Sequence, residues 1–210
     1  MFRICFIDDD EEFEIPLFRE VFGDTFDIVT AANYADLVSQ VSEREDWAPD
    51  LFVLDLYFPC GAPNPNAIEA LRAEPLSLEN DNAQIRPAYR NHVKARTRLA
   101  SILDAWNQSA NGGLRLAEKV AIDFPEVPIV FYSRKATLQD AIRCMAAKNV
   151  CWVEKKPTGK SSAETIELTR SAQQHLVRRF EAAILQIDTQ ERERLKEAAR
   201  AFAEILESFD

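Results

Sequence analysis

Four of the short apolar runs in this chain end directly in polar residues that could take part in catalysis or ligand binding. These residues are Asp8 and Asp9 after the first run, Asp55 after a run in the first third, and Ser133 and Lys156 after two later runs. A buried strand has no structural need for such a residue at its end. The carboxyl ends of parallel strands meet at one edge of a sheet, where ligands bind in open α/β folds. The five residues are therefore candidates for one functional site.

The types of these residues indicate phosphoryl chemistry. The three carboxylates of Asp8, Asp9 and Asp55 repel one another and need a cation, and all-oxygen ligands favour Mg²⁺. A carboxylate beside Mg²⁺ can act as a nucleophile and form an aspartyl phosphate. The transferred group spreads negative charge over three oxygens. Mg²⁺, the hydroxyl of Ser133 and the ammonium of Lys156 would each pair with one of them.

The elements that must position these residues follow from the hydrophobic pattern. Strand-like and helical segments alternate as βαβαβ over 1–59, which implies right-handed crossovers and a parallel sheet. Two further strands are predicted at 129–132 and 150–154. We expect an α/β protein with a flavodoxin-like, doubly wound, five-stranded parallel sheet of order 2-1-3-4-5. In that order the first and third strands are neighbours at the switch point, which brings Asp8, Asp9 and Asp55 together.

Helices are predicted from apolar positions at helical spacing, together with capping residues. They are expected at 13–22, 33–42, 67–73, 87–108, 114–124, 136–147, 161–187 and 191–208. The sequence Asn111-Gly112-Gly113 is expected to break the chain between two helices.

Four motifs of the chain resemble those of the receiver domain of two-component response regulators. They are FIDDDEEF at 6–13, FVLDLYFP at 52–59, IVFYSRKA at 129–136 and VEKKP at 153–157. The resemblance covers about 1–59 and 111–157. It implies the same flavodoxin-like fold and a function in phosphorelay signal transduction.

The resemblance also implies roles for the acidic residues. Asp55 corresponds to the phospho-acceptor of the family. Asp9 corresponds to a direct Mg²⁺ ligand, and Asp8 to a ligand that acts mainly through water. The backbone carbonyl of Tyr57 is implied as the remaining ligand from the protein. The implied metal ligands are thus Asp8, Asp9, Asp55 and Tyr57.

Two further roles are implied at the later strand ends. Ser133 takes the place of the family's switch hydroxyl, and Lys156 takes the place of its lysine, whose peptide bond to the following proline is usually cis. Lys155 is an alternative to Lys156 if the strand register differs by one. Arg134 stands where the family favours a small residue. Its guanidinium would either pair with a phosphoryl group or crowd it out.

The chain departs from the family after the acceptor strand. The family has a glycine shortly after that strand, whereas Gly113 follows only after an insertion of roughly fifty residues, far longer than an ordinary loop. We predict a receiver-like domain at 1–158, interrupted by a helical insertion at 60–111, and a C-terminal helical extension at 159–210. The insertion begins beside Asp55 and is expected to cap the site or to report its state.

The helix predicted within the insertion carries a basic stripe without any intervening acid. Its members lie four residues apart and are Arg86, Arg90, Lys94 and Arg98. One interpretation is a solvated face, or a face paired with acids elsewhere in the chain. The other is a contact with an anion, a nucleic acid or a partner protein. The net charge of −10 argues against a broad nucleic-acid surface.

These observations favour a phosphorylatable receiver that signals through protein–protein contacts of its insertion and terminal helices. A sensor histidine kinase or a phosphotransfer protein would be the phosphodonor, and the output protein is unknown. No enzymatic turnover is expected beyond Mg²⁺-dependent self-phosphorylation and self-dephosphorylation on Asp55. The alternative is a pseudo-receiver, an interaction scaffold that works without phosphorylation. A Mg²⁺-dependent phosphohydrolase is disfavoured because Tyr57 stands where such enzymes need a second acid.

The remaining features bound the environment of the protein. Its four cysteines form no C-x-x-C pair, and with only two histidines a zinc site is not expected. No signal peptide and no apolar run of membrane-spanning length are seen, so we expect a cytoplasmic protein without membrane contact. The apolar stripes at 166–187 and 195–209 need cover from the domain, from each other or from a second subunit. Of these, we favour a homodimer through the C-terminal helices.

Overall fold

A computed structural model describes residues 1–73, 85–185 and 197–198 of the chain. The strands are β1 Arg3–Ile7, β2 Asp27–Ala31, β3 Leu51–Leu54, β4 Phe58–Pro59, β5 Gln108–Ser109, β6 Ile129–Ser133 and β7 Val150–Lys155. The helices are α1 Glu14–Phe22, α2 Tyr34–Ser42, α3 Pro65–Ala73, α4 Ile85–Ala105, α5 Ala110–Asp123, α6 Leu138–Ala146 and α7 Ser162–Ile184.

The main sheet has five parallel strands in the order β2-β1-β3-β6-β7. This is the predicted flavodoxin-like order, since β6 and β7 are the fourth and fifth strands of this sheet. The register places Ile7 opposite Leu54, so that β1 and β3 end at the same level. The predicted fold class is therefore confirmed.

Helices cover both faces of this sheet because successive side chains of each buried strand point to opposite faces. On one face, Cys5 and Ile7 belong to a core cluster with buried side chains of α2, α5 and α6. On the other face, Ile4 and Phe6 belong to a cluster with α1 and α7. The strands are apolar on both sides, as a doubly wound sheet requires.

Helix α7 is a layer of this domain. Phe180 is fully buried, and its ring centroid lies 6.1 Å from that of Phe18, 5.6 Å from that of Phe22 and 6.1 Å from that of Tyr132. The apolar stripe predicted in this part of the C-terminal extension is thus covered by the sheet and α1 rather than by a second subunit. The helix predicted at 191–208 lies outside the described residues except for 197–198. The division of the chain into domains stays a prediction.

Replacing Phe180 with alanine is expected to lower the free energy of unfolding by about 3–5 kcal/mol, because a large aromatic side chain is removed from a closed core. Urea unfolding followed by circular dichroism measures the change. Leu168→Ala on the same helix is the matched control, since Leu168 is 40% exposed. It should cost less than about 1 kcal/mol. Equal, small losses for both variants would show that α7 does not stabilise the domain.

The insertion is closed at its base by a second, two-stranded sheet that the sequence did not predict. Strands β4 and β5 pair antiparallel, with Phe58 opposite Ser109 and Pro59 opposite Gln108. The Cys60 amide extends this ribbon by donating to the Asn107 carbonyl at 2.7 Å. Two-residue strands are too short to show an alternating pattern. The ribbon holds both ends of the insertion beside the end of β3.

The predicted break at Asn111-Gly112-Gly113 is wrong, because all three residues belong to the first part of α5. The Gly113 amide donates to the Leu56 carbonyl at 3.0 Å. A Cβ atom at Gly113 would lie 2.4 Å from that carbonyl oxygen. The glycine is therefore needed for a close approach of two backbones, and not for a turn. Gly113 thus lies beside the segment that follows β3, although a long insertion separates the two in sequence.

Among the described residues, no helix has both the length and the apolar character that crossing a membrane requires.

Candidate functional site

The carboxyl ends of the central strands bring the predicted residues to one cleft of about 1060 Å³. Asp8 follows β1, Asp55 follows β3, Ser133 ends β6 and Lys156 follows β7. These four side chains are buried, whereas the neighbouring Asp9 is half-buried. The structure thus assembles the five residues that were first singled out by their positions at strand ends.

Lys156 is the central cation of the site. Its ammonium donates to Asp8 Oδ2 and lies 3.4 Å from Glu14 Oε2 and 3.5 Å from Asp55 Oδ1. Burial alone would lower the pKa of Lys156, but the carboxylates of Asp55, Asp8 and Glu14 raise it above its ordinary value. Lys156 is therefore a fully charged group in a nearly dry position.

Lys156 enters the cleft from a trans peptide bond to Pro157, since the described residues contain no cis peptide. The cis bond implied by the family resemblance is absent here. The Lys156 amide donates to the Ser133 carbonyl at 3.2 Å, which holds the end of β7 against β6. Lys155 is exposed and its ammonium donates to the Ala136 carbonyl at 3.1 Å. Of the two lysines, Lys156 is the one beside Asp55.

The carboxyl groups of Asp8 and Asp9 lie in surroundings that disfavour their charged forms. Burial raises the pKa of Asp8, Lys156 opposes this shift and Asp55 adds to it, and the net result is a pKa of about 7. Burial also raises the pKa of Asp9, again with a contribution from Asp55. Asp8 Oδ1 accepts from the Asp10 amide at 3.0 Å. Because both carboxyl groups are disfavoured as anions, added positive charge would stabilise this part of the site.

The donors present are of the type that a hard divalent cation prefers, which fits Mg²⁺. Within the described ranges, however, no three His, Cys, Asp or Glu residues form a ready-made metal site. Carboxylate oxygens of the predicted ligands have partners within the protein: Lys156 at Asp8, Gln108 at Asp9 and the Tyr57 amide at Asp55. Both oxygens of Asp8 accept hydrogen bonds, Oδ1 from the Asp10 amide and Oδ2 from Lys156. A cation would therefore have to share the Asp8 oxygens with these donors and use Oδ1 of Asp9 and of Asp55.

Tyr57 has two observed contacts near the site. Its amide donates to Asp55 Oδ2 at 3.0 Å, and its hydroxyl donates to Asp140 Oδ2 at 2.6 Å. The first contact fixes the orientation of the Asp55 carboxylate. The role implied for the Tyr57 carbonyl as a metal ligand stays a prediction.

Ser133 presents a buried hydroxyl to this cleft. Among the residues that the structure describes, its Oγ has no hydrogen-bond partner. A buried polar atom without a partner is costly, and it indicates a ligand that completes the site. A phosphoryl oxygen on the neighbouring Asp55 would be such a ligand.

Arg134 forms an ion pair with Glu14, and its guanidinium lies 5.3 Å from the centre of the Phe13 ring. Glu14 therefore bridges two cations, Arg134 and Lys156. This role of Glu14 was not predictable from the sequence, because an acid in the first turn of a helix is ordinary. The observed partner of the Arg134 guanidinium is therefore the Glu14 carboxylate.

Two other residues of the cleft were not expected from the sequence. Lys135 follows directly on Arg134, and burial lowers its pKa while Asp55 and Asp9 oppose that shift. Gln108 belongs to β5 at the base of the insertion and contacts both Asp9 and Lys135. Lys135 could have been identified as a site residue from its position in the IVFYSRKA motif, two residues after Ser133. Nothing in the sequence distinguished Gln108.

The basic stripe of α4 lies apart from this site. Arg98 donates to the Leu71 carbonyl of α3, so it joins the two helices of the insertion. Arg90 and Lys94 also have interaction partners within the protein. The side chain of Arg86 lies outside the described residues. Of the three described residues, none lines the cleft, and their predicted contact with an anion or a partner stays a prediction.

Comparison with known proteins gives matches in structure only. No protein family model matches the sequence, and no curated protein matches it. Among solved structures, the chain is similar to the non-phosphorylated HemR receiver domain from Leptospira biflexa. The two are 17% identical, the match covers 88% of this chain and 94% of that chain, and the TM-score is 0.45.

Two other solved structures are similar at lower identity. A response regulator receiver domain protein from Clostridium thermocellum is 12% identical, with 84% of this chain and 99% of that chain covered and a TM-score of 0.41. A response regulator from Burkholderia pseudomallei, solved with a phosphorylated aspartic acid, a calcium ion and citrate, is also 12% identical. That match covers 85% of this chain and 72% of that chain, with a TM-score of 0.41. These three solved structures are receiver domains or response regulators.

Proposed function

We propose that the protein is a response-regulator receiver that accepts a phosphoryl group on Asp55 in the presence of Mg²⁺. The observation that carries this proposal is the arrangement around Asp55. The Lys156 ammonium lies 3.5 Å from Asp55 Oδ1, and the buried Ser133 hydroxyl at the end of the next strand has no hydrogen-bond partner in the described part of the chain. A nucleophilic carboxylate, a fixed cation and a free hydroxyl donor are what an aspartyl phosphate requires.

In the proposed reaction, a carboxylate oxygen of Asp55 attacks the phosphorus of a phosphodonor. The bond from phosphorus to the leaving group breaks, and the leaving group departs with the electron pair. The Ser133 hydroxyl and the Lys156 ammonium donate hydrogen bonds to phosphoryl oxygens and stabilise their charge. Mg²⁺ held by Asp8, Asp9 and Asp55 would neutralise further charge on the phosphoryl group.

The phosphodonor would be a sensor histidine kinase or a phosphotransfer protein, and the protein itself would catalyse no turnover of other substrates. Phosphorylation would draw the Ser133 hydroxyl towards Asp55 and change how Arg134 and the start of α6 are held. The output would be read by a partner protein through the insertion or the terminal helices. The homodimer, the absence of nucleic-acid binding and the cytoplasmic location belong to this proposal.

Incubation with acetyl phosphate and Mg²⁺ is expected to add one phosphoryl group to the wild-type chain and none to Asp55→Asn, because an amide is not a nucleophile here. Intact-mass spectrometry measures the adduct. Asp50→Asn is the matched control, since Asp50 lies at the opposite end of β3 and accepts from the Arg3 amide at 2.8 Å. This variant should be phosphorylated like the wild type, and EDTA should abolish both adducts.

The alternative, a pseudo-receiver scaffold, predicts the opposite outcome. No adduct would form on Asp55 with either a small phosphodonor or a histidine kinase. Asp55→Asn would then leave signalling in cells unchanged. An adduct that persists in Asp55→Asn would also refute the proposed acceptor.

A further inference from the structure

The base of the insertion contributes side chains to the wall of the cleft. Ile102 from the last turn of α4 lines it, together with Trp106, which directly follows α4, and Gln108 from β5. Trp106 is 44% exposed, so its indole meets both the cleft and solvent. The insertion thus contributes residues to the wall of the site.

Gln108 is held at this place by backbone contacts on both sides. It pairs with Pro59 in the β4–β5 ribbon, and the Asn107 carbonyl before it accepts from the Cys60 amide. The Ser109 side chain after it caps α5 by accepting from the Asn111 amide at 3.1 Å. The position of the Gln108 side chain is therefore set by the closure of the insertion.

The two ends of the Gln108 amide face groups of opposite charge. Nε2 donates to Asp9 Oδ2 at 3.2 Å, and Oε1 accepts from the Lys135 ammonium. Only this orientation of the amide satisfies both partners, because a carboxylate needs a donor and an ammonium needs an acceptor. A neutral donor also orients Asp9 without adding positive charge that would repel a cation.

We propose that Gln108 is a positioning residue for the phosphoryl site, which orients the Asp9 carboxylate for a divalent cation and holds Lys135 beside it. This role rests on the proposed function. It also links the insertion to the site: by reciprocity, a cation that prefers the oriented Asp9 stabilises the Gln108 contact and the end of α4. Trp106 lies two residues before Gln108 and lines the same cleft, so its fluorescence can report that coupling.

Titration calorimetry with Mg²⁺ on the full chain, without any phosphodonor, tests the role. Gln108→Leu keeps a similar volume in the ribbon but removes both hydrogen bonds, and it is expected to weaken Mg²⁺ binding roughly tenfold, as loss of a partner that orients a metal ligand does. Its melting temperature in EDTA should match that of the wild type. Gln108→Ala serves as a second variant and should show the same loss of affinity.

Ser101→Ala is the matched control, because Ser101 is exposed on α4, its hydroxyl donates to the Thr97 carbonyl of the same helix at 3.1 Å, and it does not line the cleft. Its Mg²⁺ affinity should equal that of the wild type. In the wild type, Mg²⁺ should change the tryptophan fluorescence, and this change should disappear in Trp106→Phe.

Three outcomes would overturn the role. Wild-type affinity in both Gln108 variants would show that Gln108 only closes the ribbon, as would a lower melting temperature with unchanged affinity. Those results would leave phosphorylation of Asp55 untouched. Absence of Mg²⁺ binding by the wild type would overturn both the role of Gln108 and the proposed Mg²⁺-dependent function.

Discussion

Replacing Lys156 with methionine is expected to lower the free energy of unfolding by about 3–5 kcal/mol at neutral pH in EDTA. Lys156 is 4% exposed and faces the carboxylates of Asp8, Glu14 and Asp55. Methionine fills a similar volume but leaves these buried carboxylates without their shared cation. Removing one partner of a buried ion pair costs more than the pair itself contributes, because the remaining charge is desolvated and unpaired.

The loss should depend on pH in a defined direction. Because the pKa of Asp8 in the folded protein, about 7, lies above its value of about 3.9 in an unfolded chain, the folded state binds more protons between these values. The contribution of Asp8 therefore becomes less favourable as pH rises from about 4 to 7. Without Lys156, which opposes this shift, the pKa of Asp8 rises further. Below about pH 6, Asp8 is protonated in both folded proteins, so the gap in stability between variant and wild type should stay constant there and widen as pH rises through 7 to 8.

Urea unfolding at pH 5, 6, 7 and 8 measures this gap. Lys155→Met is the matched control, because Lys155 is the exposed neighbour whose ammonium contacts only the Ala136 carbonyl among the contacts observed. It should cost less than about 1 kcal/mol at every pH. Equal losses for the two lysines, or a gap that narrows as pH rises, would contradict the buried position of Lys156.

Replacing Gly113 with alanine is expected to destabilise the domain by about 3 kcal/mol, because the new methyl group meets backbone and not a movable side chain. The Cβ atom would lie 2.4 Å from the Leu56 carbonyl oxygen and 2.7 Å from Leu56 Cα. The clash can be relieved only by separating α5 from the segment after β3. That movement shifts the neighbour of Asp55, so the variant should also accept a phosphoryl group more slowly at saturating Mg²⁺.

Gly112→Ala provides a matched comparison within the same helix. There the Cβ atom would lie 3.0 Å from the Phe58 Cβ atom, a tight contact that a small shift relieves. The gain of about 1 kcal/mol in helix propensity offsets this cost, so thermal unfolding should place this variant near the wild type. Similar destabilisation in both variants would mean that the close approach of Gly113 to Leu56 has no special cost.

The strand order was predictable because it depends on local pattern. Short apolar runs that alternate with amphipathic helices permit few topologies once crossovers are right-handed. The positions of Asp8, Asp55, Ser133 and Lys156 at strand ends followed from the same runs. Helix bounds were also predicted closely, as in α2, where Asn33 caps the helix by accepting from the Asp36 amide at 3.0 Å.

Errors arose where a residue's role depends on a distant neighbour. The pair Gly112-Gly113 was predicted to break the chain, because glycine usually signals a turn. Both glycines instead lie in α5, where they allow the close approach of Leu56 and Phe58 from the segment after β3. The β4–β5 ribbon was missed because two residues carry no periodicity. The surface that covers α7 was not identified, since an apolar stripe does not say what packs against it.

Short-range hydrophobic periodicity was sufficient to predict a doubly wound sheet and the types of residues at its edge. Which other side chains join those residues depends on tertiary packing. In the structure, Glu14 lies between the cations Arg134 and Lys156, and Lys156 rather than Lys155 lies beside Asp55. Gln108, from the far end of the insertion, contacts Asp9. These contacts span long stretches of chain, and pairings of that kind are fixed by packing in three dimensions rather than by local pattern.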